Sequence, residues 1–81
     1  LVLGINDLEM PNLSILPNPT SEYFTIEGLT APTNVTLYDI GGKLIRSVPV
    51  TPGQAIKIND LRPGVYFLSA DGYRTQKLIK R

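Results

Sequence analysis

The 81-residue sequence contains no cysteine, no histidine and no tryptophan. The lack of cysteine and histidine excludes disulfides, thiolate nucleophiles and imidazole bases, and it removes the commonest zinc and haem ligands. Carboxylates, hydroxyls and lysines remain, but no spacing singles out a carboxylate pair or a Ser/Lys dyad. The sequence therefore predicts a protein that is not an enzyme and needs no cofactor or metal.

Long apolar runs and a large excess of one charge are also lacking. No run approaches the roughly 20 apolar residues that span a bilayer. The net charge of +1 is far from the basic balance of a nucleic-acid-binding protein. The first residues have neither the basic nor the apolar region of a signal peptide, so we expect the sequence to be the end of a longer protein. We predict no nucleic-acid partner and no transmembrane segment.

Positive charge is absent from the first half of the sequence. Residues 1–42 hold five acidic residues and no basic ones, whereas residues 43–81 hold all eight basic residues and two acidic ones. We interpret this difference as two halves that pair within one fold rather than as a functional basic face. The exception is the basic group Lys77, Lys80 and Arg81, which we expect to lie exposed on the last strand, available to an acidic partner.

Proline and glycine are frequent, with seven residues of each, and they favour short strands over helices. Alternating apolar and polar residues predict strands over residues 23–27 and 35–39, and the second continues through a glycine turn into residues 43–48. About seven short strands at even spacing favour an all-β, immunoglobulin-like β-sandwich, with a small barrel as the alternative. Alternation assigns to its interior Phe24, Ile26, Val35, Leu37, Ile56, Ile58 and Phe67.

Turn signals separate these strands. Pro52-Gly53 and Pro63-Gly64 each have the type II pattern, and Asp71-Gly72 predicts a hairpin that leads into a last strand over residues 73–80. Residues 1–12 show no period, and we interpret them as a linker to an upstream domain. Residues 13–81 form the predicted domain.

Four blocks along this domain form a pattern. They read ILPNPTS at residues 15–21, VTLYDIGGKLI at 35–45, LRPGVYFL at 61–68 and KLIK at 77–80. In this order they closely resemble the C-terminal sorting domain of the type IX (Por) secretion system of Bacteroidetes, over residues 13–81.

The resemblance implies an address label on a cargo protein that passes through the periplasm and is secreted or displayed at the cell surface. It implies as partners the type IX translocon components, the upstream cargo domain in the same chain, and a sortase-like peptidase that removes the domain from many cargoes. We expect any cleavage to fall within residues 1–12. The motif residues that it marks are Pro17, Asn18, Pro19, Gly42, Leu61, Gly64, Tyr66, Lys77, Leu78, Lys80 and Arg81.

Two interpretations of these motif residues stay open. Most of them are expected to maintain the fold, with Asn18 capping a turn, while the basic tail is expected to be read by the machinery.

An alternative function is an accessory module that binds carbohydrate or acts as a spacer. Its aromatic candidates are Tyr23, Tyr38 and Tyr73, and the lack of tryptophan argues against it.

Overall fold

The computed structural model describes residues 11–81, and within them the chain forms seven strands and no helix. The described part thus has no helix long and apolar enough to cross a membrane. Residues 1–10, most of the predicted linker, lie outside the described residues. The strands are β1 (Ser14–Leu16), β2 (Tyr23–Glu27), β3 (Thr33–Asp39), β4 (Leu44–Val50), β5 (Ala55–Lys57), β6 (Gly64–Ala70) and β7 (Gln76–Lys80).

The strands form two antiparallel sheets. One has the order β1-β2-β5 and the other the order β4-β3-β6-β7. Buried apolar side chains from both sheets form one cluster between them, as expected where two half-buried sheets cover each other. The predicted all-β class is confirmed, and the arrangement is consistent with an immunoglobulin-like sandwich.

Six of the seven predicted interior residues are buried. On β2, for example, Phe24 and Ile26 point inward while Tyr23 and Glu27 are exposed, because successive side chains of a strand face opposite sides. Burying one such apolar side chain stabilises the fold by about 1.5–3 kcal/mol. The buried set is Phe24, Ile26, Val35, Leu37, Ile56 and Ile58.

The assignment of Phe67 to the interior is wrong. Tyr66 and Leu68 are buried on β6, and Phe67 lies half-buried on the outer face of the sheet. On β3, its neighbour across the strand pair is Tyr38. β6 lies between β3 and β7. Because the residues of this central strand are apolar on both faces, the sequence pattern does not show which face points into the core.

The hairpin between β3 and β4 is closed by Asp39. Its Oδ1 accepts hydrogen bonds from the backbone N–H groups of Gly41 and Lys43, both at 2.9 Å. Gly42 adopts a φ of +89°, a conformation that glycine reaches without steric cost. The predicted hairpin is therefore present, although one of its two glycines supplies the positive φ.

The other turn predictions have mixed outcomes. The Pro52-Gly53 turn is confirmed, since Gln54 N–H donates to the Thr51 carbonyl at 3.1 Å and Gly53 has a φ of +84°. The prediction of a type II turn at Pro63-Gly64 is wrong, because Gly64 has a φ of +156° and is the first residue of β6. After Asp71-Gly72 a turn does form, but β7 begins at Gln76 rather than at residue 73.

Candidate functional site

The first and last motif blocks meet at the outer edge of β7. The Asn18 side-chain amide donates from Nδ2 to the Lys77 carbonyl at 2.9 Å and accepts at Oδ1 from the Ile79 N–H at 3.0 Å. Asn18 therefore occupies the place of a neighbouring strand. The expectation that it caps a local turn is wrong, because both of its partners lie about 60 residues further along the chain.

Thr20 extends this contact with its backbone. Its N–H donates to the Ile79 carbonyl at 2.9 Å, and its carbonyl accepts from the Arg81 N–H at 2.8 Å, forming a parallel bridge opposite Lys80. The Thr20 hydroxyl also donates to the Tyr23 carbonyl, and the residue is buried. We call residues 18–20, as bound to β7, the clasp.

The clasp covers an edge that a sheet would otherwise leave open. An edge strand presents unpaired N–H and C=O groups that can pair with another chain. Here both backbone groups of Ile79, the Lys77 carbonyl and the Arg81 N–H are already bonded to residues 18–20. Strand addition to this part of β7 therefore requires release of the clasp.

The structure corrects the expectation of an exposed basic tail. Lys77 and Arg81 are exposed, but the side chain of Leu78 is 0% accessible and Lys80 is 7% accessible. The Lys80 Nζ donates to the Arg81 carbonyl at 2.9 Å, while its aliphatic stem is covered by the fold, as is common for long cationic side chains. β7 is therefore part of the core and not a detachable last strand.

The second and third motif blocks meet at a surface cleft of about 500 Å³. One wall is the tip of the β3–β4 hairpin, and the other is the loop before β6 together with the first residues of that strand. Tyr66 holds the second wall, because its hydroxyl donates to the Arg62 carbonyl at 2.6 Å. This bond, from an early residue of a strand back to the chain upstream, is the tyrosine corner of β-sandwiches.

Ten of the eleven predicted motif residues therefore separate into two groups. One group surrounds the clasp: Pro17, Asn18, Pro19, Lys77, Leu78, Lys80 and Arg81. Gly42 forms the hairpin turn, and the remaining three residues line the cleft: Leu61, Gly64 and Tyr66. The peptide bonds before Pro17 and Pro19 are both cis.

Arg46 and Asp60 form a contact that the sequence pattern did not reveal. Arg46 on β4 donates to the Lys57 carbonyl of β5 at 3.0 Å and to Asp60 Oδ2 at 2.6 Å. The hydrogen bond from Arg46 holds the pKa of the Asp60 carboxyl below its ordinary value. The acidic turn after β5 was the one available signal, and no local pattern pairs it with a particular arginine.

The cleft and the end of β7 lie at one end of the sandwich. Asp39 at the end of β3 pairs with Tyr66, and Gly64 at the start of β6 pairs with Lys80. The chain enters at the other end, where the Pro11 carbonyl accepts from the Arg74 N–H at 3.1 Å. An upstream segment is thus attached away from the cleft.

The three tyrosines considered for carbohydrate binding do not share a face. Tyr23 lies on the outer side of the three-stranded sheet, and Tyr38 lies on the outer side of the four-stranded sheet. Tyr73 packs against the edge of the core. The aligned aromatic platform expected of a sugar-binding module is not formed by these three residues.

Comparison with known families gives a match over residues 14–81 to the secretion system C-terminal sorting domain. The match covers most of the chain, and the chain belongs to this family of type IX secretion sorting domains. Comparisons with curated proteins and with solved structures gave no match. Membership means that a cargo bearing this domain is secreted or anchored at the cell surface by passage through the outer membrane.

Proposed function

We propose that this domain is a non-enzymatic address label that components of the type IX translocon read in its folded form. The observation that carries the proposal is the extent of the family match, which runs from the first residue of β1 to the residue after β7. The matched unit is thus the complete sandwich rather than a short tail. Its motifs converge in the clasp and in the cleft, which only the folded chain brings together.

Burial divides the motif residues by role. Leu78, Tyr66 and Lys80 are buried, so they maintain the fold and act on recognition through it. Exposed members can touch the machinery directly, and Lys77 and Arg81 are the charged ones. Both are anchored through their backbones by the clasp, which fixes where their side chains leave the fold.

We further propose that a sortase-like peptidase cuts within residues 1–12. Pro11 and Asn12 are exposed, and they enter the fold at the end opposite the cleft. A peptidase acting there can work while the cleft end is held by the translocon. Proteolysis requires an extended, accessible segment, which a strand inside the sandwich does not offer.

A fusion experiment tests the address. The 81 residues are fused to a periplasmic reporter in a Bacteroidetes host that has the secretion machinery, and reporter is measured in the periplasm, on the cell surface and in the medium. We expect export of the fusion, and retention when Leu78→Asp disrupts the core. An intact, folded wild-type fusion that stays in the periplasm while another cargo is exported would contradict the proposal.

A charge variant separates reading from folding. Lys77→Gln with Arg81→Gln removes two exposed charges but keeps the backbone bonds of the clasp. We expect this variant to melt like the wild type and to be exported less efficiently. The matched control is Lys57→Gln, which removes an exposed charge from β5. Equal export of all three proteins would show that these two charges are not read.

A further inference from the structure

We infer that the cleft between the β3–β4 hairpin and the loop before β6 is a docking site for an acidic segment of a partner protein, in which an apolar side chain lies beside carboxylates. The inference rests on the proposed function, because it gives the chemistry of the surface that reads this end of the domain. Its evidence is the shape of the cleft, the rigidity of its walls and the two cations that have no partner within the described residues.

The cleft presents an apolar strip that the fold leaves uncovered. Ile40 at the hairpin tip lines the cleft and is 73% exposed. Single exposed apolar residues are common, but Ile40 adjoins further apolar lining from the opposite wall. That lining consists of Leu61, Pro63 and Val65, and Ile45 adds to it from the hairpin wall.

Both walls are held in place before any partner arrives. Asp39 bonds two backbone N–H groups of the hairpin tip. On the opposite wall, the Tyr66 hydroxyl bonds the Arg62 carbonyl, and the Leu61 N–H donates to the Ile58 carbonyl at 3.0 Å. A preformed site loses little conformational entropy on binding.

The cleft is lined by two carboxylates and two cations, and only the carboxylates are engaged within the fold. The carboxylates of Asp39 and Asp60 are engaged by the hairpin backbone and by Arg46. Within residues 11–81, by contrast, no partner holds the ammonium of Lys43 or the guanidinium of Arg62. Asp39 keeps its negative charge, although its Oδ1 is occupied by the hairpin backbone, and the cations open to a partner are Lys43 on one wall and Arg62 on the other.

This combination selects the chemistry of the occupant. Two cations beside an apolar strip complement carboxylates beside an apolar side chain, and charge complementarity between surfaces gives both specificity and rapid association. The cleft is open and shallow, which suits an extended polypeptide segment better than an enclosed small molecule. A partner with this surface reads the hairpin and the loop before β6 together.

A binding experiment with a defined probe tests the inference. The probe is a synthetic peptide with a pair of leucines between pairs of glutamates, titrated into the isotope-labelled 81-residue protein and followed by NMR. We expect shifts at the cleft residues, binding that weakens with added salt, and about tenfold weaker binding to the Lys43→Gln/Arg62→Gln variant. The control, Lys57→Gln, removes an exposed charge outside the cleft and should bind as the wild type does.

Several outcomes would overturn the inference. They are no binding, shifts away from the cleft, equal weakening in the cleft variant and in Lys57→Gln, or equal binding of a peptide with glutamines in place of the glutamates. Binding to vesicles of anionic lipid without binding to the peptide would overturn it in favour of a membrane surface.

An export arm separates this inference from the proposed function. The reporter fusion is compared with a fusion lacking residues 11–81 and with a fusion that has Ile40→Asn, Lys43→Gln and Arg62→Gln. Loss of export in both supports the inference, provided that the triple variant melts like the wild type. Normal export of the triple variant overturns the docking site alone, whereas export without residues 11–81 overturns the address function itself.

Discussion

The two open sides of the sandwich are closed by different chemistry. On the side of β1 and β7, neutral amide and backbone groups of residues 18–20 bond the outer edge of β7. On the side of β4 and β5, the Arg46 guanidinium bonds the Lys57 carbonyl and a carboxylate that is 63% exposed. The first closure joins residues about 60 positions apart, while the second joins residues 11 and 14 positions apart.

The difference teaches which side the fold depends on. Neutral hydrogen bonds do not change with protonation and respond weakly to salt, whereas an exposed ion pair is screened and contributes little. The clasp also secures the strand that places Leu78 in the core. We therefore expect the β1–β7 side to dominate stability and the β4–β5 side to adjust it.

The largest effect should come from removing part of β7. Deletion of residues 78–81 removes the buried Leu78 side chain and the clasp bonds of Ile79 and Arg81. Loss of a buried leucine side chain alone costs about 2–5 kcal/mol, which is comparable to the whole stability of a domain this small. We expect no cooperative melting transition by far-UV circular dichroism. A truncated domain that melts cooperatively near the wild-type temperature would place the tail outside the core after all.

The next effect should come from the clasp itself. Asn18→Ala removes two hydrogen bonds to the β7 backbone, and we expect a loss of about 1–3 kcal/mol in the free energy of unfolding by denaturant titration. The control is Asn59→Ala, at an exposed position after β5. An equal loss in both variants would show that the clasp adds nothing specific.

A smaller effect is expected on the opposite side. Arg46→Met keeps much of the aliphatic volume but removes the hydrogen bond to the Lys57 carbonyl. We expect a loss of about 1 kcal/mol in the free energy of unfolding. Added salt should reduce the difference between this variant and the wild type, and it should leave the effect of Asn18→Ala unchanged. A salt response of the same size in both variants would erase the distinction between the two sides.

The smallest effect should appear in the pH dependence. The pKa of Asp60 is lowered in the folded protein by its hydrogen bond from Arg46. Its stabilising contribution is therefore complete above the ordinary value of 3.8 and declines as the pH falls through the lower, folded value. Asp60→Asn should melt slightly below the wild type near neutral pH, and the gap should close in acid. A gap that is constant across this range would exclude ionisation of Asp60 as its cause.

The sequence predicts the sheets better than the contacts between distant segments. Strands such as β2 follow from alternation, because one of their faces is buried and the other is wet. Alternation gave the wrong orientation for Phe67, because β6 is apolar on both faces. The burial of Lys80 was not predicted either, because a charged residue is expected to be exposed although its aliphatic stem can be buried.

The candidate site shows the same division. The motif blocks could be recognised in the sequence. The sequence did not predict that Asn18 reaches β7, or that the second and third blocks face each other across a cleft. These pairings depend on sheet order and register, which no local pattern contains. Arg46 and Asp60 were missed for the same reason, since their contact exists only once the two sheets are stacked.

The clasp also sets a condition on when the domain can exist during synthesis. Its bonds need residues 18–20 and residues 77–81 at the same time, and contacts so distant in sequence form late in folding. A nascent chain that has been made only as far as β6 lacks both the buried Leu78 and the partners of Asn18. The finished sandwich can therefore form only in chains that have been translated through β7. Chains that terminate early contain the first strands but cannot form the complete folded domain.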